Sequence, residues 1–324
     1  MKDHCQIFND IYINCKYHAI LNMLNIFNVD VNVILYNYIM LYKYNPQYNT
    51  YKSECITTRN IQDILFENGI LEEKIDYTLN LFEKIKECNR NDCCAIIRVD
   101  KYEIPYHKKY FKKKHYRRYV LIYDIDLEKG IVKILDREKN NVNSNLISVG
   151  FREINKWYDS YLKNFYYSKI DTDCTLYMFR QIYKNNSQVI PNNNEFSFDI
   201  SCYKTELYNN IKTLQEMYTK VKPDSYETLK ISLPKILLAK QADKYRFNKI
   251  GKSQCEGIIN QQINMIKVMF YYIEKNDIDK VKEQLNKLSF FSILSTLTNN
   301  SSPSLFSNTF FIVSKYFILP SHMF

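Results

Sequence analysis

Glycine is scarce: five in 324 residues, at positions 69, 130, 150, 251 and 257. Neither a phosphate-cradling P-loop nor a dinucleotide fingerprint can be assembled from them, which disfavours nucleotide enzymes of those kinds. No Cys-x-x-Cys pair occurs, and Cys93 and Cys94 are adjacent, so structural zinc is not expected. The longest apolar run, Phe310–Leu319, is interrupted by Lys315 and is too short to span a bilayer. Tryptophan occurs once, at Trp157, and histidine five times. The nine cysteines are an odd number and follow a polar start without a signal peptide, which points to reduced thiols in the cytoplasm.

What is present is apolar and basic. Hydrophobic residues make up 46% and aromatics 15%, ample for a core. The net charge is +10, yet eight of the lysines and arginines crowd into residues 101–118. Such a cluster suits an acidic protein surface as well as a phosphate backbone, and a solvated basic loop is the plainest account of it.

The segment 97–136 organises the chain. An apolar strand (CCAIIRVD) leads into a Pro105 loop, a basic aromatic run, a second strand over Tyr119–Tyr123, an acidic turn with Gly130, and a third strand ending at Asp136. Upstream, Cys15 opens CKYHAILNMLNIFN. There Ala19, Ile20, Met23, Leu24 and Phe27 recur at helical spacing. A thiol at a helix N-terminus meets aligned N–H groups that favour the thiolate, although a cysteine in that place is more often a small core hydrophobe. The stretches 58–67 and 71–88 read as amphipathic helices separated by an Asn68–Gly69 stop. Residues 151–168 read as a short helix and 174–183 as a strand.

Helices first and strands second predict α+β. The Asn-rich stretch 184–196 reads as a linker, dividing a domain over 1–183 from a mostly helical one over 197–324. Within the latter, 205–221, 257–275 and a segment capped by Asp277 read as helices. The last residues fit either a fold-back onto the bundle or a homodimer contact.

A cysteine nucleophile needs a base to take its proton and a third group to orient that base. In papain-like sites the base begins one strand and the orienter lies on the next. Asp136 stands in the orienter's place, but Arg118 stands in the base's, and a guanidinium cannot serve as a base. His115, three residues earlier, serves only if the strand begins after it or a bulge intervenes. Arg118 can still stabilise a thiolate on Cys15. Asn9, six residues before Cys15, is a candidate oxyanion donor or a turn asparagine.

The stretches VDKYEIPYH (99–107), HYRRYVLIYDID (115–126), KILD (133–136) and CKYHAILNML (15–24) resemble the butirosin biosynthesis protein H-like family, whose N-terminal domain is similar to double-glycine peptidases. KYRFNKI (244–250) is a further, shorter echo. The resemblance spans roughly residues 10–140 and part of 244–290. It implies a papain-like cysteine-protease-type N-terminal domain with an antiparallel sheet. It also implies acyl transfer from a carrier-bound thioester to an amine within natural-product or nonribosomal peptide biosynthesis. Cys15 would carry the acyl group, His115 would be acid or base, and Asp136 the orienter. Lys108, Lys109, Lys112, Lys113, Lys114 and Arg117 would dock an acyl or peptidyl carrier protein. No cofactor would be bound beyond the phosphopantetheine that this partner presents, and the acceptor would be a small-molecule amine. Two departures stand out: Arg118 replaces the family's second histidine, and Asp124 replaces a glycine. Thioesters tolerate such a loss best, because a thiol leaves without acid help. A catalytically degenerate binding or scaffold protein of an assembly line is the alternative from another class. A cysteine peptidase or amidase is disfavoured by the missing acid. Nucleic-acid binding through YFKKKHYRRY is the remaining reading, and no membrane partner is expected.

Overall fold

The computed structural model describes residues 7–10, 14–35, 37–45, 50–57, 59–137, 144–171, 173–182, 226–249, 253–284 and 287. The chain divides into two compact units. One comprises Met1–Tyr38 and Thr57–Asn193, the other Ile39–Ile56 and Asn194–Phe324. The expected linker at 184–196, the helix at 205–221 and the final segment lie outside the described residues.

The first unit is built on a six-stranded antiparallel sheet. Its strands are β3 (Ile70–Ile75), β4 (Cys94–Asp100), β5 (Arg117–Asp126), β6 (Ile131–Asp136), β7 (Asn145–Gly150) and β8 (Leu176–Gln181), in the order β3-β8-β4-β5-β6-β7. An antiparallel sheet with helices makes this unit α+β. Four helices accompany it: α1 (Cys15–Ile26), the single turn α2 (Asn32–Leu35), α3 (Ile61–Glu67) and α4 (Leu81–Arg90). A fifth, α5 (Phe151–Tyr161), runs into a π-helical turn over Leu162–Tyr166.

β4 is buried along its whole length, as expected for a central strand continuous in apolar residues. Ala95, Ile97 and Val99 share one face with Val120 and Ile122 of β5 and Val132 and Ile134 of β6. Ile154, Trp157, Tyr158 and Tyr161 of α5 and Leu81 and Ile85 of α4 cover that face. Gly130 turns the chain between β5 and β6 at φ +66°, where a side chain would be strained. Arg98 is buried under Tyr161 and Tyr119 and pairs with Asp171 and with Asp173, the latter at 2.8 Å. This network pins the loop that leads into β8.

One expected element is corrected. The stretch 71–88 is not one helix: Ile70–Ile75 is a strand, and a helix begins only at Leu81, capped by Asn80. LEEKI carries helix formers, but it pairs with β8 from Ile70↔Gln181 to Ile75↔Leu176. Pairing along a sheet edge overrides a local propensity of a few tenths of a kcal/mol per residue. The Asn68–Gly69 stop is present, with Gly69 at φ +75° after α3.

The second unit contains the two-stranded sheet β1 (Tyr38–Asn45) and β2 (Thr50–Thr57) and two long helices, α6 (Tyr226–Lys249) and α7 (Ser253–Glu274). The helices pack on each other, with Ile259 and Ile263 of α7 against Leu237 of α6. KYRF and the next residues form the end of α6, and Asp277 caps the segment after α7 by accepting from the Lys280 amide at 3.1 Å. No helix among the described residues is long and apolar enough to cross a membrane.

Candidate functional site

Cys15 is the first residue of α1. Asn14 is extended and its side chain accepts from the Tyr17 amide at 3.0 Å, satisfying one of the orphan donors of the first turn. The helix is buried from Tyr17 to Leu24, while Cys15 stays partly exposed. Two contacts place this helix start near the end of the sheet where β5 begins and β6 finishes. Lys16 Nζ lies over the Tyr177 ring at 4.9 Å and the Tyr119 ring at 5.6 Å. His18 Nε2 meets Ser144 Oγ at 2.6 Å, immediately before β7.

Asp136 is the hub of that end. Leu121 pairs with Leu135, so Asp136 falls beside Val120 and diagonal to Arg118 on the same face. The Arg118 guanidinium binds Asp136 Oδ1 and also donates to the Arg137 carbonyl at 3.3 Å. The Arg137 amide donates to Oδ1 at 2.7 Å. On the other oxygen, His107 Nε2 lies at 2.9 Å and the Tyr106 hydroxyl donates at 3.0 Å. Burial alone would push the Asp136 carboxyl up, but Arg118 and then His107 outweigh it and hold the group down at about 2. His107 is also shifted down. Its burial is the largest cause, the bond to Asp136 opposes it, and Arg118 and Lys101 add repulsion. A neutral His107 bound to a carboxylate through Nε2 carries its proton there and leaves Nδ1 as the basic nitrogen.

His115 belongs to a different pair. Its Nδ1 lies 2.6 Å from Asp100 Oδ2 and its ring stacks on Tyr102 with centroids 4.3 Å apart. Asp100 is fully buried and also accepts from Ser160 Oγ at 2.9 Å and from the Tyr102 and Tyr116 amides at 3.0 Å each. The expected orientation of His115 by Asp136 is therefore not made. β5 starts at Arg117, opposite Asp100, so His115, two residues earlier, meets the end of β4 rather than the end of β6. Among the described residues no histidine hydrogen-bonds the Cys15 sulfur. Asn9 is engaged as well: Oδ1 accepts from the Ser144 amide at 2.8 Å and Nδ2 donates to the Ser144 carbonyl at 3.4 Å. Its amide latches a loop where an oxyanion donor was expected.

The residue missed by sequence reasoning is Lys101. It is only 8% exposed, held between the Tyr110 and Tyr116 rings with Nζ 4.7 Å from each centroid. Among the described residues no carboxylate pairs with it. Burial first, and then Arg118, bring its ammonium down to about 8, while the charges of Asp136 and Cys15 act in the opposite direction. The available signal was position: Lys101 directly follows a mainly apolar strand, whereas the other lysines of the run follow a turn.

The rest of the basic run divides in two. Lys112 pairs with Glu103, and Arg117 pairs with Asp171 at 2.9 Å. Lys108, Lys109, Lys113 and Lys114 are exposed. Among the described residues no cluster of three or more metal-ligating side chains occurs. Compared by sequence, the chain matches no protein-family model and no curated protein.

Proposed function

We propose that the first unit is a papain-like domain and that Cys15 accepts an acyl group from a carrier-bound thioester for delivery to a small amine. The observation that carries this is the placement of a partly exposed thiol at the capped start of α1, a helix start held near the end of the sheet by Lys16 over the Tyr119 and Tyr177 rings. A thiolate suffices for thioester exchange, because the departing thiol needs little acid help. The exposed lysines 108, 109, 113 and 114 suit an acidic carrier protein or the phosphate of its pantetheine arm. The test is incubation with an acyl-loaded carrier protein followed by intact-mass measurement. An adduct that disappears in Cys15→Ala supports acyl transfer, and equal labelling of the variant rejects it.

A degenerate scaffold protein of an assembly line is the second reading. The Arg118–Asp136 ion pair favours it, since a guanidinium stands at the strand position expected of the catalytic base and shares the Asp136 carboxylate with His107. That reading is supported if the unaltered protein forms no adduct and Cys15→Ser binds the loaded carrier as tightly as the unaltered protein.

A further inference from the structure

Tyr77, just past the end of β3, meets Tyr166 and Tyr167 at the end of the π-helical turn that follows α5. The three ring centroids are 5.4, 5.6 and 6.3 Å apart, and Tyr167 stands at 72° to Tyr77 and 70° to Tyr166. Edge-to-face packing accounts for these angles. It does not account for the aromatic surface left in water, since Tyr77 is 48% and Tyr167 55% exposed.

The backbone beneath the rings is fixed. The Asp76 carbonyl accepts from the Thr175 amide at 3.0 Å and the Thr78 amide donates to the Tyr158 hydroxyl at 3.1 Å, so Tyr77 is pinned on both sides. On the other segment the Tyr167 amide donates to the Leu162 carbonyl at 2.9 Å and closes the π-helical turn. The Lys169 amide donates to the Tyr166 carbonyl at 3.0 Å, with Lys169 in the left-handed region at φ +56°. π-helical turns and left-handed residues other than glycine are sparse in proteins and gather at functional sites. Rings held out on a pinned backbone are organised for a ligand before it arrives.

Charge indicates the class of ligand. Elsewhere in this unit tyrosine faces are taken by the chain's own cations: Lys16 over Tyr119 and Tyr177, Lys101 over Tyr110 and Tyr116, and Lys112 over Tyr102. Among the described residues no lysine or arginine lies over the trio, although Lys163 and Lys169 belong to the same turn. The group that borders it is the exposed carboxylate of Asp76, next to Tyr77, which accepts from the Cys174 thiol at 3.5 Å. Ring faces beside a carboxylate attract a cation. A primary ammonium is held back by its strong hydration, whereas a trimethylammonium group sheds water readily and presents methyl groups to the rings.

We infer that Tyr77, Tyr166 and Tyr167, with Asp76 beside them, bind a trimethylammonium group, carried either by free choline or by a phosphocholine lipid headgroup. This stands apart from the acyl-transfer reading and needs neither Cys15 nor a carrier protein.

The test uses the full chain and choline chloride, with saturation transfer from the protein to the choline methyl protons followed as a titration. The neutral isostere 3,3-dimethylbutan-1-ol should bind at least about tenfold more weakly than choline. This comparison needs no variant. Tyr77→Leu and Tyr167→Leu alter half-exposed side chains, and each should weaken choline binding about fivefold. Equal affinity for choline and its isostere, or choline binding unaltered in both variants, overturns the inference. Sedimentation with phosphatidylcholine vesicles separates the sources. Co-sedimentation that both variants lose supports the site with the lipid headgroup as its ligand, and choline binding without co-sedimentation supports it with the free compound. Binding of neither choline nor the vesicles overturns it.

Discussion

Arg118 and Asp136 stand diagonally on neighbouring strands and close an ion pair in which the side chains are 8% and 1% exposed. The same carboxylate takes His107, Tyr106 and the Arg137 amide. Its lone pairs are thus saturated, and no capacity remains to orient a further imidazole. The pair fixes the ends of β5 and β6 and holds the loop carrying Tyr106 and His107 against them. Asp136 is accordingly a positioning group in this molecule.

The acid limb of the stability curve should report that pair. Asp136 is depressed from 3.8 to about 2 in the fold. Its contribution is therefore fully present above about pH 4 and is lost as pH falls toward 2, in total about 2 kcal/mol. Urea unfolding of the unaltered protein and Asp136→Asn should show a gap that is widest at neutral pH and narrows between about pH 4 and 2. Leaving Arg118 buried and unpaired adds to the neutral-pH gap, on the order of 3 kcal/mol. Two curves that stay parallel into acid would assign the acid sensitivity to other carboxylates.

His115 should prove structural. Replacing it with Asn removes a hydrogen bond to the buried Asp100 and the stack on Tyr102. A stability loss of about 1–2 kcal/mol is expected. Cys15 alkylation should keep its rate and pH midpoint, because the imidazole faces Asp100. A severalfold slowing of alkylation in a variant of native stability would instead put His115 within reach of the sulfur.

The parts of the fold that could be read in the sequence were those whose local chemistry agrees with their place. Apolar runs marked β4, β5 and β6, Gly130 marked the turn, and the helical spacing from Cys15 onward marked α1. β3 was hidden because Leu71–Lys74 carry helix formers and are held extended by β8 alone. Cys15 and Asp136 could be singled out from their positions at a helix start and a strand end. Their partners could not. Whether His107 or His115 meets Asp136 depends on how the Pro105 loop folds back, and the loop is closed by backbone bonds such as Lys112 N–H to the Tyr102 carbonyl at 2.9 Å. Lys101 was concealed by its surroundings: burial distinguishes it from the other lysines of the run and composition does not.

The exposed lysines make a separable prediction. Charge reversal at Lys108, Lys109 and Lys114 should leave the unfolding temperature nearly unchanged, because such surface charges are worth roughly 0–1 kcal/mol to the fold. Lys112 and Arg117 are left in place because they pair with Glu103 and Asp171. If the run docks an acidic carrier, affinity should drop at low salt and the slope of affinity against salt should flatten. A triple variant that binds the carrier with the unaltered salt slope would move the docking surface elsewhere. Steep salt dependence toward single-stranded RNA, absent for the carrier, would favour nucleic acid as the partner.

Lys101 should be a liability to the fold. Its ammonium is brought from 10.5 to about 8 in the native protein. Between those values the unfolded chain holds the proton more tightly, so this group's contribution to stability rises with pH across the window. Below about pH 8 it is a standing penalty, on the order of 3 kcal/mol at most, less whatever the two tyrosine rings return. Methionine keeps the apolar stem and removes the charge. Lys101→Met should therefore unfold at higher urea than the unaltered protein at pH 7, and the advantage should shrink toward pH 10. A variant less stable at pH 7 would mean that the rings and Cys15 more than offset the desolvation.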